Sequence, residues 1–148
     1  GLAFGGGLEL AMAADFRIAA ATAAFAMPEV RIGTLPGWGG TQRLPALIGA
    51  ARAKQMVFSG ERIDAAAAER WGLINEMVPP EALTARVRQL AEQIAANAPV
   101  AVQLAKSAID RDAAALEAFA GALAASADDG QEGMAAFREK RAPQFRGE

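Results

Sequence analysis

Glu9 and Glu29, twenty positions apart, are the residues of this sequence whose type and setting best suit chemistry. Glu9 follows three consecutive glycines, Gly5-Gly6-Gly7, at the head of an apolar run from Leu8 to Ala14 that reads as a short buried helix. Glycines there let the chain turn sharply and bring bare backbone N–H groups close to a ligand. The first N–H groups of a helix lack intrahelical acceptors and lie at the positive end of the dipole, so they can hold an anion or an oxyanion that forms during a reaction. The competing reading of the triplet is a tight turn with close helix packing. An acid in the first turn of a helix can simply complement the dipole. However, Leu8, Leu10, Ala11 and Met12 predict burial for Glu9, and a buried unpaired carboxylate is costly, which leans towards function. Glu29 falls just past a strand ended by Pro28, where a loop acid is either solvated or aimed into a site. Two carboxylates converging on one pocket could do general acid–base work without histidine.

The elements that must carry these residues follow from pattern. Phe16–Ala19 and Ala24–Met27 suit short strands, with Ala20–Ala23 as the turn between them. Gly33-Thr-Leu-Pro-Gly-Trp-Gly-Gly-Thr-Gln-Arg-Leu44 is a glycine-rich loop feeding a helix to Ile48, with Gly49 as its cap. That loop could wrap a ligand or pack tightly, and Trp38 within it reads as a packing anchor, with a ligand-facing role as the alternative. A helix from Ala50 to Phe58 ends at Ser59-Gly60. Another runs to Trp71, with Asp64 as N-cap and Gly72 as its stop. Leu73–Val78 is a strand ended by Pro79-Pro80. Beyond it the chain is helical. Leu83, Val87, Leu90 and Ile94 share one face, Asn97-Ala98-Pro99 breaks that helix, and Val100 to Asp110 forms the next. Leu116, Phe119, Leu123 and Ala127 mark a third, Asp128-Asp129-Gly130 reads as a turn, and Gln131–Arg141 is a fourth carrying Met134 and Phe137. The sequence thus divides into a mixed α/β part, 1–78, and a helical part, 79–148.

Composition narrows the chemistry. The 148 residues include no cysteine and no histidine, which excludes disulfides, thiolate nucleophiles, Ser-His-Asp triads and His/Cys zinc sites; no metal site is expected. A net charge of −2 with interspersed signs leaves no electrostatic footprint for nucleic acid. No apolar run reaches the ~18 residues needed to span a bilayer, and no signal peptide is visible, so a cytoplasmic setting is expected. Leu10 occupies the last glycine position of G-x-G-x-x-G, and no Gly-Lys-Ser/Thr follows, so neither nucleotide fingerprint is met. Phe137, Arg138, Lys140, Arg141 and Phe145 form a basic-aromatic tail, either a solvated terminal helix or a contact for a phosphorylated ligand. Lys106 and Arg111 read as solvated helix charges. The chain starts at Gly1 within a strand-to-turn pattern, so an upstream part is expected, and it or another subunit would cover the apolar helix faces.

Gly1-Leu-Ala-Phe-Gly-Gly-Gly-Leu-Glu-Leu-Ala11, Asp15, Met27-Pro-Glu29, Gly33-Thr-Leu-Pro-Gly-Trp-Gly-Gly-Thr-Gln-Arg-Leu-Pro45 and Glu132-Gly-Met-Ala-Ala-Phe-Arg-Glu-Lys-Arg141 resemble the crotonase (enoyl-CoA hydratase/isomerase) superfamily. The resemblance runs nearly end to end and matches the C-terminal portion of such enzymes. It implies an α/β crotonase-like spiral of ββα units, truncated at its N-terminus, followed by a helical region that builds trimers or dimers of trimers. It implies Gly6 N–H as one of two oxyanion donors, with Glu9 activating water and Glu29 protonating C2 of a trans-2-enoyl-CoA. Gly5, Gly6, Pro36, Gly37, Phe137 and Lys140 are the implied substrate contacts, Phe137 and Lys140 near the CoA nucleotide. No cofactor is implied beyond the coenzyme A of the substrate, and the setting would be fatty-acid or amino-acid breakdown.

The family's second oxyanion donor lies upstream of Gly1, and one donor can be worth ~10²–10³ in rate. The isolated 148 residues are therefore expected to be poorly soluble and inactive. Within the superfamily, the alternatives are a Δ3-Δ2 enoyl-CoA isomerase, which needs only one base, and a methylglutaconyl-CoA-type hydratase. More distant alternatives are RNA binding, disfavoured by the acidic chain, and a non-catalytic assembly subunit, disfavoured by the retained acids.

Overall fold

The computed structural model describes residues 1–110 and 119–148 in full and, for 114–118, the backbone alone. Arg111 and the side chain of Leu116, both given roles above, lie outside the described residues. The chain forms two compact units, Gly1–Val87 and Arg88–Glu148. The boundary falls inside a helix, nine residues beyond Val78, because the start of that helix is tied back: Arg86 Nε donates to Glu76 Oε1 and Oε2 at 2.9 and 2.8 Å.

In the first unit β1 (Leu2–Phe4) leads through Gly5 into α1 (Gly6–Met12), followed by β2 (Ile18–Ala20) and β3 (Ala24–Ala26). The helix starts two residues before the expected Leu8, because Gly5 itself takes the N-cap position with φ +52°. β1 and β3 pair in parallel, with Leu2 opposite Ala24 and Phe4 opposite Ala26, and α1 supplies the crossover that parallel pairing requires. β4 (Ile63–Asp64) joins β3 antiparallel, whereas β2 leaves for a second sheet and pairs in parallel with β5 (Glu76–Val78). Between them lie a 3₁₀ turn at Glu29–Ile32, α2 (Gly40–Ile48), α3 (Ala50–Ser59) and α4 (Ala65–Trp71). Asp64 caps α4 by accepting from Ala67 N–H at 2.7 Å, and Gly72 ends it at φ +83°. Leu8, Met27, Leu44, Met56 and Leu73 are fully buried and form the centre of the core. Leu8 and Met27 belong to the segments carrying the two glutamates, so core packing fixes the backbones from which those carboxylates project.

A 3₁₀ turn at Pro80–Ala82 leads into α5 (Leu83–Ala95), which crosses the unit boundary. Of its predicted stripe, Leu83, Leu90 and Ile94 are half-buried and Val87 is exposed. The second unit continues with α6 (Pro99–Asp110), α7 (Ala114–Ser126) and α8 (Asp128–Glu139). Pro99 opens α6 instead of lying outside it, since the first helical position needs no N–H acceptor. The expected turn at Asp128–Gly130 is instead the first turn of α8, where acidic residues complement the helix N-terminus. Lys106 forms an exposed ion pair with Asp110 at 3.2 Å. Asp129, 3% exposed, accepts from Arg146 and Gly147 N–H at 2.7 Å each, which draws the C-terminal segment back onto α8. Arg141 forks onto Glu132 at 2.6 and 2.8 Å, and Gln144 N–H adds a third bond at 2.9 Å. Those bonds, the Arg141 fork first, hold the Glu132 carboxyl down at about 2, while Glu132 and then Glu139 push Arg141 above its ordinary value. Among the described residues, no helix is long and apolar enough to cross a membrane.

Candidate active site

The parallel β1/β3 pair decides where the two acids go. Its register places Phe4 beside Ala26, and Gly5 N–H extends the ladder by donating to Ala26 O at 3.0 Å. Glu9 leaves the carboxyl end of β1 on α1, and Glu29 leaves that of β3 at the start of its 3₁₀ turn. Ligands of α/β folds bind outside the carboxyl ends of parallel strands, and both acids are delivered to that edge.

Glu29 lies directly over the glycine turn. A Cβ built on Gly5 would sit 3.0 Å from Glu29 Oε1 and 3.6 Å from its Cδ, so only glycine leaves the carboxyl room, and the left-handed φ there also favours glycine. Both Glu29 oxygens are buried and without a hydrogen-bond partner among the described residues. Buried polar groups are nearly always bonded, so an orphaned carboxyl beside a conformationally special glycine stands out from ordinary packing. Glu29 sits in a 3₁₀ turn instead of an open loop, its C=O accepting from Thr34 N–H at 3.2 Å and Gly33 closing the turn at φ +76°.

Glu9 is 3% exposed and fully committed at one oxygen. Its Oε1 accepts from the backbone N–H groups of Trp38 and Gly40, both at 2.7 Å, so the glycine-rich loop acts as a clamp on the carboxyl. Oε2 takes neither bond. Gly39, at φ +98°, turns those two N–H groups to the same point, and Arg43 Nη1 donates to Trp38 O at 2.9 Å from the other side. Gly40 must also be glycine, since a Cβ there would fall 2.8 Å from Glu9 Oε1 and 2.8 Å from Pro36 Cβ.

Gly6 completes the arrangement. It is the first residue of α1, and no acceptor for its N–H occurs among the described residues; the Leu8 and Glu9 N–H groups already take Gly5 O. The six-membered ring of Trp38 lies against Gly6, where a Cβ would meet Cζ3 at 2.7 Å and Cε3 at 2.9 Å. Trp38 is nevertheless 77% exposed, so its packing against Gly6 leaves most of the residue uncovered. Gly5, Gly6, Glu9 and Glu29 thus gather at one turn. Pro36 is fully buried beneath the loop, packed towards Gly40 and Glu9, and Gly37 is exposed. Phe137, 81% exposed, and Lys140, which ends α8 at φ +56°, belong to the second unit. The sequence reading missed the clamp of Trp38 N–H, Gly40 N–H and Arg43, although the two glycines flanking Trp38 signalled an unusual loop path.

Two buried carboxyl-bearing residues and an N–H without an acceptor among the described residues meet at one strand edge, the kinds of group that general acid–base and oxyanion chemistry use. The description "Enoyl-CoA hydratase/isomerase" belongs to the family model that matches residues 1–148, and the chain is a member of that family. A crotonyl-CoA hydratase from Syntrophomonas wolfei is 47% identical over 153 aligned residues, which cover 98% of this chain and 58% of that protein. A short-chain-enoyl-CoA hydratase from Clostridioides difficile is 46% identical over 140 residues, 90% of each chain. The crystal structure of an enoyl-CoA hydratase from Bacillus anthracis superposes with a TM-score of 0.96 at 43% identity, over all of this chain and 60% of that one. The fold is therefore crotonase-like. The chain spans a little under 60% of the length of the Syntrophomonas relative.

Proposed function

We propose that this chain carries the carboxyl pair and one oxyanion donor of an enoyl-CoA hydratase, adding water reversibly and syn across the double bond of trans-2-enoyl-CoA thioesters. The observation that carries the reading is the gathering of Glu9, Glu29 and the unpaired Gly6 N–H at the Gly5–Gly6 turn. The oxygen of water adds to C3 as Glu9, through Oε2, takes one of its protons. The C2=C3 electron pair moves into the thioester, and the negative oxygen that forms is met by Gly6 N–H. Glu29 then delivers a proton to C2 as the oxygen's charge returns, and the proton taken up by Glu9 passes to Glu29, which restores the pair. The net change is one water added, with no oxidant or reductant and no cofactor beyond the coenzyme A of the substrate.

The clamp supports the assignment of roles. Glu9 is held at Oε1 by two backbone donors that cannot rotate away, which suits a group that must orient water. Glu29, with both oxygens unpartnered, is the acid free to pass a proton. Gly5, Pro36 and Gly37 complete the acyl-thioester contacts in this reading, and Phe137 and Lys140 are assigned to a CoA nucleotide, that of the same or of a neighbouring subunit. The helical second unit builds a homotrimer or a dimer of trimers, in a cytoplasmic enzyme of acyl-CoA breakdown without nucleic-acid or membrane partners. The S. wolfei and C. difficile relatives, named for crotonyl-CoA and short-chain enoyl-CoA, support this class of substrate.

The test is the ultraviolet absorbance of the conjugated thioester in crotonyl-CoA, followed with the product of the full open reading frame. Its loss on adding enzyme is expected. A stable absorbance with crotonyl-CoA, and a rise when a 3-enoyl-CoA is supplied instead, would replace the hydratase with an isomerase.

A further inference from the structure

Trp38 is more than a loop residue that happens to lend its N–H to Glu9. Its backbone is held from both sides, by Glu9 Oε1 on the N–H at 2.7 Å and by Arg43 Nη1 on the carbonyl at 2.9 Å. Its indole ring is seated against Gly6, with Cζ3 and Cε3 only 2.7 and 2.9 Å from where a Gly6 Cβ would be. Yet 77% of the residue remains exposed, so a large flat apolar face stands open at the turn that gathers both carboxyls. Leaving an aromatic face uncovered forgoes the burial that normally stabilises such a side chain, and its position is too constrained for it to fold away.

We propose that the Trp38 indole is the specificity wall of the acyl pocket, covered by the first carbons of the acyl chain and admitting short linear chains in preference to long or branched ones. The inference rests on the hydratase reading above. If the thioester oxygen accepts from Gly6 N–H, the carbonyl carbon is one bond away, and C2 and C3 follow between the two carboxyls. A ring already in contact with Gly6 is then within van der Waals reach of the chain that continues from C3. Its bulk occupies the volume that further methylenes or a branch would need. The geometry also explains why Gly6 carries no side chain: a Cβ there would push the indole out of that place.

The test compares trans-2-decenoyl-CoA with crotonyl-CoA as substrates for the wild-type full open reading frame product, Trp38→Phe and Trp38→Ala. A hydrophobic pocket discriminates by ~10–200-fold per methylene-sized change. Trp38→Ala is therefore expected to move the kcat/KM ratio towards the long chain by about 10-fold or more, with Trp38→Phe in between. Equal losses for both substrates, or a ratio unchanged within about twofold, would show Trp38 to be only a support for Glu9 and overturn the proposal while leaving hydration intact. Absence of hydration by the wild type would remove the underlying reading and the proposal with it. Fluorescence supplies a readout that does not need the Ala variant to fold. In a background where Trp71 and every other tryptophan of the full product except Trp38 are replaced by Phe, the Trp38 emission should shift to the blue with saturated hexanoyl-CoA and stay put with CoA alone. No shift with hexanoyl-CoA would contradict acyl coverage of the ring.

Discussion

Replacing Gly40 by Ala tests whether the loop clamp sets the position of Glu9. The added Cβ would lie 2.8 Å from Glu9 Oε1, 3.1 Å from Glu9 Cγ and 2.8 Å from Pro36 Cβ. Ordinary contact starts at 3.4 Å, so something must retreat by about 0.6 Å. Pro36 is fully buried in the loop, which leaves the Glu9 side chain to move, and its bonds from Trp38 and Gly40 N–H lengthen or break. Overpacking a filled site costs about 1–3 kcal/mol, and a buried acceptor losing its donors costs a further ~1–3 kcal/mol. Partial relaxation places the sum near 3 kcal/mol in a urea titration. A misplacement approaching 1 Å costs about 10² in rate, so kcat for hydration should fall by roughly that factor while KM changes little. Gly7→Ala is the control, because nothing lies within 4 Å of a Cβ there, and an alanine inside α1 should stabilise by about 0.5–1 kcal/mol. Wild-type kcat in Gly40→Ala would refute the clamp, whatever happened to stability.

Two further expectations concern the second unit. Asp129→Ala removes both acceptors of Arg146 and Gly147 N–H, so residues 145–148 should detach and become the first site of carboxypeptidase trimming, with roughly 1.5–3 kcal/mol of stability lost. Glu132 has a folded value of about 2 against an ordinary 4.5, so its contribution to stability is fully present above pH 4.5 and is lost as pH falls through about 2. The stability advantage of wild type over Glu132→Gln should therefore shrink as pH falls from 4.5 to about 2, and a difference that is flat with pH would remove the Arg141 fork as its source.

How much of this was legible in the sequence depends on what each feature is made of. Side-chain signals read well: Asp64 and Gly72 bracketed α4, and Gly60 closed α3, because caps need particular residues. Glu9 and Glu29 stood out because an acid among leucines and an acid behind a strand-ending proline are locally unusual. The clamp on Glu9 did not stand out, since its donors are backbone N–H groups that every residue except proline possesses. Strand partners were equally hidden. β2 and β3 are adjacent, short and alanine-rich, and their assignment to different sheets depends on β5, more than fifty residues downstream. Asp128-Asp129-Gly130 carries turn residues that also suit a helix start, and the local sequence does not choose between the two.

A double-mutant cycle with Glu9→Gln, Glu29→Gln and both together, read as the rate of crotonyl-CoA hydration by the product of the full open reading frame, isolates the pairing of the two carboxyls. Each single substitution should cost ~10²–10⁴ in kcat. Because each group is useless to the other's half of the proton transfer, the double variant should lose little more than the worse single. Losses that multiply, or a single variant with near-normal turnover, would show that the two glutamates do not act as one acid–base unit at the Gly5–Gly6 turn.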